Sequence, residues 1–255
     1  METVRKGCGN MIITCSRTER GIRERNEDAC GIFSIPSPAG TLILLAVADG
    51  LGGHPAGEVA SALAVRALVE SVSLSAKSLV VQDGPSLQQI LATGFSHANI
   101  RVLRYPEEDP ACRGMGTTLV AALLSEGGEG VCGNVGDSRA YLVGRTIRRI
   151  TRDHSEVQEL VERGLIAADA AELHPLKNIV TRIIGRKDDV PDFYPVSLDG
   201  DCLILCSDGL TDGVSEREIH ALVTTTDFAG LCEALVAAAR GRSRDNITVV
   251  AAWRA

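Results

Sequence analysis

Four aspartates in this 255-residue chain each stand at the end of a short apolar run. Asp49 follows residues 42–48, Asp137 closes the stretch GVCGNVGD at 130–137, Asp208 closes CLILCSD at 202–208, and Asp245 leads into ITVVAA at 247–252. Short apolar runs bounded by Gly and Asp read as buried strands. Four carboxylates are therefore placed to converge where strands end, and an ionised buried carboxylate requires a partner. Hard oxygen donors with no His or Cys cluster beside them favour Mg²⁺ or Mn²⁺ over zinc. Two such ions about 3.5 to 4 Å apart can share a bridging carboxylate and a bridging water, and the water becomes a nucleophile at neutral pH. That arrangement hydrolyses phosphate esters without a covalent protein intermediate.

Rival phosphate chemistries lack their residues. None of the eight cysteines has an arginine six positions on, so the cysteine-dependent phosphatase loop is missing, and so is GxxxxGK[ST]. The triplet at 199–201, DGD, precedes its strand, unlike an aspartyl-phosphate motif. Asp-Gly is also a common turn dipeptide, and for Asp83, Asp199 and Asp212 turn chemistry is the first explanation. The cysteines are scattered and form no CxxC pair, which predicts reduced thiols buried as small hydrophobes.

The elements that must position these acids follow from the pattern of the chain. An edge strand is expected over 11–16, then a polar loop, RTERGIRERNED, over 17–28. A hairpin follows over 29–35 and 41–48. Helical spacing marks 57–72 and 86–104. A meander of strands is expected over 119–124, 130–135 and 139–143. Residues 155–192 are polar, punctuated and poorly periodic, a partly helical excursion over one face. Strands return at 193–197 and 202–206, helices at 215–224 and 227–240, and a last strand at 246–253. Antiparallel strands interleaved with paired helices predict an α+β layered sandwich.

A net charge of −7 and a pI near 5.3 argue against a nucleic-acid grip. The one cationic stretch, 145–152, reads as a solvated strand edge. No basic leader with an apolar core opens the chain, and no apolar run of about 18 residues is evident, so a cytoplasmic protein with no membrane partner is expected.

Six stretches in order, RERNED at 23–28, DGLGGH at 49–54, GMGTT at 114–118, GDSR at 136–139, SDGLTD at 207–212 and RDNITV at 244–249, resemble the motif series of PP2C-type metal-dependent protein serine/threonine phosphatases in their bacterial form. The resemblance spans residues 15–253 and implies one phosphatase domain over 1–255. It implies two antiparallel sheets face to face with a helix pair on each outer side, a four-layer α-β-β-α sandwich, with 155–192 as a flap beside the site. By position, Asp49 matches the carboxylate bridging two catalytic metals and Gly50 the residue whose carbonyl binds one of them. Asp208 and Asp245 match direct ligands of the other metal, and Asp28 an acid reaching its metal through water. Asp137 matches a ligand of a third ion, with Asp208 shared. Arg23 matches the arginine that clamps substrate phosphate, which suits the planar fork of guanidinium.

The implied function is hydrolysis of phosphoserine and phosphothreonine in proteins through a metal-bridged water, with Mn²⁺ or Mg²⁺, opposing a Ser/Thr kinase in signalling. The implied partners are phosphorylated proteins, and the expected state is a monomer. The general acid stays open. Leu51 stands where eukaryotic members carry a histidine, His54 is read first as a loop histidine, and His154 as structural. Asn246 either orients Asp245 or simply starts a strand. Two other readings remain: a non-catalytic phosphoprotein-binding module on the same fold, which would have lost its ligands, and a two-metal hydrolase of small phosphate esters or nucleic acid, the latter disfavoured by the net negative charge.

Overall fold

The computed structural model describes residues 11–51 and 56–254, and the side chains of all of these but 172 and 173. The first strand, β1, runs Ile12–Glu19, followed by β2 (Asp28–Ser37) and β3 (Gly40–Asp49). Helices α1 (Gly57–Ala76) and α2 (Gly84–Arg104) come next, then β4 (Leu119–Ser125), β5 (Glu129–Val135), β6 (Arg139–Val143) and β7 (Ile147–Arg149). Helix α3 (Glu156–Glu162) lies in the excursion. The chain continues through β8 (Asp192–Ser197), β9 (Cys202–Cys206), α4 (Asp208–Gly213), α5 (Glu216–Thr225), α6 (Phe228–Ala239) and β10 (Ile247–Arg254).

The strands form two antiparallel five-stranded sheets, ordered β1-β10-β9-β6-β7 and β2-β3-β4-β5-β8. Alternation along each central strand explains why its sequence reads as a continuous apolar run. Leu42, Leu44, Ala46 and Ala48 of β3 pack against α1 and α2, whereas Leu45 and Val47 point into the layer between the sheets. In the other sheet Ile204 and Cys206 of β9 face α4 to α6, and Leu203 and Leu205 face inward. Successive strand residues point to opposite faces, so a strand covered on both sides needs apolar residues at every position. Three apolar layers thus separate four structural layers, and the α-β-β-α sandwich follows. Truncating one of these leucines to alanine costs about 2–5 kcal/mol.

Several local expectations change. Arg17, Thr18 and Glu19 belong to β1 and not to the polar loop, because their backbones pair with Val249, Thr248 and Ile247 of β10 whatever their side chains. Asp83 is the N-cap of α2 and accepts from the Ser86 N–H at 2.8 Å. Asp212 lies inside α4 and pairs with Lys177 Nζ at 2.9 Å, so neither is a plain turn residue. Helix α1 has the length and mean hydropathy, 1.4, of a membrane span, although Glu58, Arg66 and Glu70 break up its apolar run. It is a core helix here: Leu63, Ala64, Ala67, Leu68 and Val72 are buried in the layer shared with α2 and β3. The cationic stretch does form an edge, with β7 last in its sheet. The described cysteines are all free; five are buried, and Cys15 and Cys30 are half-buried. Cys8 lies outside the described residues.

Candidate metal centre

The facing ends of the two sheets bring the acids together. In the first sheet Asp28 opens β2 and Asp49 closes β3, and the antiparallel register sets them opposite each other. In the second, β9 delivers Asp208 at the first turn of α4, and Asp245 stands two residues ahead of β10. Asp137 lies on the turn that carries the chain from β5 in one sheet to β6 in the other. The site therefore straddles the seam.

Close backbone approach makes the convergence possible. A Cβ on Gly209 would collide with the Asn246 carbonyl, so only glycine lets the segment after Asp208 lie against the segment after Asp245. Gly50 is likewise pinned, with its N–H donating to the Glu27 carbonyl at 3.1 Å and no room for a Cβ beside the Gly57 carbonyl.

The side chains that hold the acids are mostly uncharged. Asp49 is fixed through its backbone: its N–H donates to Thr118 Oγ1 at 3.0 Å, and its carbonyl accepts from Thr118 N–H at 2.9 Å and Thr117 Oγ1 at 2.8 Å. Thr118 Oγ1 in turn meets Ser138 Oγ at 2.7 Å, next to Asp137. Asp28 Oδ2 accepts from Thr248 Oγ1 at 2.6 Å and from Ser207 Oγ at 2.9 Å, so it reaches across the seam into the opposite sheet. Asn246 braces the arginine loop. Its Oδ1 accepts from Glu27 N–H, its Nδ2 donates to the Arg20 and Arg25 carbonyls, each at 2.8 Å, and its backbone N–H caps Asp245 Oδ1. Asn246 therefore holds Asp245 through its backbone N–H, and it stands one residue ahead of β10 instead of starting the strand.

Arg23 lies on Asp245, Nη2 to Oδ2 at 2.6 Å, and its Nε donates to the Arg244 carbonyl at 3.0 Å. The guanidinium is about half exposed. His154 is a brace of a different kind, buried between the Asp137 turn and the excursion. Its Nδ1 accepts from Gly136 N–H at 3.1 Å and its Nε2 meets Asp192 Oδ2 at 3.0 Å. Its backbone bonds Gly136 and Thr181 as well. Burial holds its pKa below the ordinary histidine value, and the accepted bond at Nδ1 places the proton on Nε2, which donates to Asp192. His54 lies outside the described residues.

The electrostatics are those of an overcrowded acid cluster. Burial pushes the Asp49 carboxyl well above the usual range, and the charges of Asp28, Asp208, Asp137 and Asp245 push it the same way. Asp208 is raised likewise, by burial and then by Asp137 and Asp245. Asp28 and Asp137 are pushed up to about 6, each chiefly by burial. Asp28 Oδ1 and Asp208 Oδ1 are buried with no hydrogen-bond partner. Buried carboxylate oxygens without partners are costly, and a cation would satisfy them.

Among the described residues no three His, Cys, Asp or Glu side chains close into a ready ligand group for a single ion. Arg23 occupies Asp245, and hydroxyls occupy one oxygen of Asp28. The donor set itself, hard oxygens with few protein ligands per ion, suits Mg²⁺ or Mn²⁺, which keep several waters.

The sequence profile described as protein phosphatase 2C matches residues 17–247. The chain is 38% identical over 240 residues to the serine/threonine phosphatase Stp of Listeria welshimeri, covering 92% of each. The crystal structure of the serine/threonine phosphatase Stp1 from Staphylococcus aureus superposes with a TM-score of 0.85 at 35% identity, over 99% of each chain. The catalytic domain of the serine/threonine protein phosphatase PstP, solved with two manganese ions, superposes at 0.80 and 33% identity, over 96% of this chain and 99% of that one. The profile and the relatives agree: this chain belongs to the protein phosphatase 2C family, as a serine/threonine phosphatase of the bacterial type.

Proposed function

We propose that this phosphatase removes phosphate from phosphoserine and phosphothreonine in proteins, with divalent ions at the seam between its sheets, and that it opposes a Ser/Thr kinase in signalling. The observation that carries the reading is the cluster of Asp28, Asp49, Asp137, Asp208 and Asp245, contributed by both sheets, with two buried carboxylate oxygens lacking partners. Asp49 would bridge two ions, with the Gly50 carbonyl on one and Asp208 and Asp245 on the other. Asp28 would act through water, and Asp137 with Asp208 would hold a third ion. Bound Mn²⁺ or Mg²⁺ supplies charge neutralisation at the phosphoryl group and a water acidic enough to attack phosphorus at neutral pH.

The remaining work falls to the chain. Arg23 turns its fork from Asp245 to the phosphoryl oxygens, an exchange between two partly exposed partners. Thr117, Thr118, Asn246 and the hydroxyls on Asp28 keep the carboxylates in place while the substrate comes and goes. His154 has both ring nitrogens engaged and serves as a brace, not as a proton donor to the leaving alcohol.

The reading takes the chain as one phosphatase domain over 1–255, with 155–192 as a flap beside the site. It takes the protein as a cytoplasmic monomer acting on phosphorylated proteins and not on membranes or nucleic acid, the last of which the net charge of −7 disfavours. The test is phosphate release from a phosphothreonine peptide with Mn²⁺, with chelator, and by Asp208→Asn. Turnover that needs metal and is lost in the variant is the expected result. A folded, metal-loaded protein that binds the peptide and releases nothing would sink the enzymatic reading in favour of a binding module.

A further inference from the structure

Far from the acid cluster, β1 and α6 hold two thiols against each other. Two ion pairs set the register of the helix on the strand: Arg17 Nε to Glu233 Oε2 at 3.0 Å, and Arg240 Nε to Glu19 Oε1 at 2.8 Å. Cys15, Arg17 and Glu19 alternate along β1 and so share the face that looks at α6. Cys232 directly precedes Glu233. The register that joins Arg17 to Glu233 therefore brings Cys15 onto Cys232, and Cys15 packs on the apolar cluster that contains Cys232. The two sulfurs lie close enough for each to perturb the ionisation of the other.

The two thiols are unequal. Cys232 is buried, 3% exposed, whereas Cys15 is only half-buried. Contact with Cys232 holds the Cys15 thiol below the ordinary cysteine value despite burial, and contact with Cys15, with burial, raises Cys232. Nucleophilic cysteines are those with thiolate character and access, and a neighbouring thiol can then resolve the oxidised product.

We propose that Cys15 and Cys232 form a peroxide-responsive dithiol, with Cys15 as the attacking sulfur and Cys232 as the resolving one. In the first step the Cys15 thiolate attacks one oxygen of hydrogen peroxide. The O–O bond breaks, Cys15 becomes a sulfenic acid, and the departing hydroxide takes up the proton that Cys15 had released. In the second step the Cys232 sulfur attacks the Cys15 sulfur. The S–O bond breaks, and the leaving hydroxide takes the Cys232 proton. Two thiols and one peroxide thus yield one disulfide and two waters; the sulfurs lose two electrons and the peroxide oxygens gain them.

The other two cysteines of this region, Cys202 and Cys206, are excluded as partners of Cys15 by the sheet. Both lie on β9, and β10 runs between β9 and β1. Two strand spacings put the backbones roughly 9–10 Å apart, beyond the separation of about 7 Å that a disulfide tolerates. Among the described residues, Cys30 is the other half-buried cysteine, and it lies in the opposite sheet on β2. It is the internal control for simple accessibility.

The test is to treat the full chain with hydrogen peroxide, alkylate the remaining thiols, digest without reductant and map the linked peptides by mass spectrometry. The expected result is a Cys15–Cys232 peptide that dithiothreitol removes, with Cys30 still alkylated. The oxidised protein should also unfold at higher urea than the reduced one, because the bond closes a loop over most of the chain. Cys15→Ser should give no linked peptide. Cys232→Ala should accumulate a Cys15 sulfenic acid trapped by dimedone. Should the Cys232 variant fail to fold, the wild-type map and Cys15→Ser decide alone. Two free thiols after treatment, a Cys15–Cys202 link, a link between two chains, or oxidation of Cys30 ahead of Cys15 would each overturn the assignment.

Discussion

Arg23 Nη2 rests 2.6 Å from Asp245 Oδ2, so the cation expected to hold substrate phosphate is held by a carboxylate expected to hold metal. The two roles are linked through this contact. A divalent ion drawing on Asp245 would weaken the hold of the carboxylate on the guanidinium and free the fork for a phosphoryl group. The pair is partly exposed, and pairs of that kind contribute only about 0.2–1 kcal/mol to stability.

Arg23→Ala should therefore cost much more in catalysis than in folding. A lost charge-assisted contact to phosphate, about 1.5–3 kcal/mol, corresponds to a loss of roughly 10- to 100-fold in kcat/KM for a phosphopeptide. The melting temperature should move by no more than a few degrees. Steady-state kinetics beside thermal unfolding checks both, and an unchanged KM and kcat would remove Arg23 from the substrate site.

Asp208→Asn removes a negative charge from a buried cluster that is repelling itself. The metal-free variant is expected to melt at the wild-type temperature or above it. Mn²⁺ should raise the wild-type melting temperature, as any ligand of the native state does, and raise that of the variant less or not at all. Turnover should fall by more than the roughly 10- to 100-fold that follows loss of a group hydrogen-bonded to a metal ligand. Thermal scans with Mn²⁺ and with chelator separate these outcomes.

The pH dependence of the metal-free protein should run opposite to that of an ion-paired acid. Asp137 rises from an ordinary value near 3.8 to about 6 on folding, chiefly through burial, so the folded state binds the proton more tightly than the unfolded state. Stability from this group is therefore full below about pH 4 and is lost as pH rises towards 6 and just above. Other acids titrate as well, so the quantity to measure is the difference between wild type and Asp137→Asn in chelator. The variant should gain relative stability from pH 4 to 6.5; a flat difference would contradict the burial argument.

His154→Ala leaves the Gly136 N–H without its acceptor in a buried place. An orphaned buried donor costs about 1–3 kcal/mol, and urea unfolding should show at least that loss. Hydrolysis should weaken too, because the same N–H precedes Asp137 on its turn.

The strands that carry the acids were legible because their burial on both faces leaves a mark in composition. Residues 42–48 and 202–206 could hardly be other than central strands, and Asp49 and Asp208 at their ends drew notice for that reason. What escaped was structure decided by distant neighbours. Arg17 to Glu19 read as loop because an edge strand tolerates polar side chains, and only β10 makes them strand. Asp212 read as a turn because a six-residue helix has too few positions to show a period. Thr118, Ser207 and Thr248 look like ordinary strand and loop residues. Their hydroxyls matter through partners far along the chain: Thr118 meets Asp49, while Ser207 and Thr248 meet Asp28. Motif order pointed to the GMGTT stretch, yet nothing local said that its threonines clasp the backbone of Asp49.

The placement of the carboxylates on both sheets has a dynamic meaning. Asp28 and Asp49 ride on one sheet, Asp208 and Asp245 flank strands of the other, and Asp28 already grips Ser207 and Thr248 across the gap. An ion held there would act as a rivet through the sandwich. Without it the sheets would be free to part at that end while each kept its own hydrogen bonds, and the amides of the facing strand ends should then exchange with solvent in one shared opening event. Loading the ion would then slow exchange on two sheets at once, and the chemistry of the site would be readable as the breathing of the whole fold.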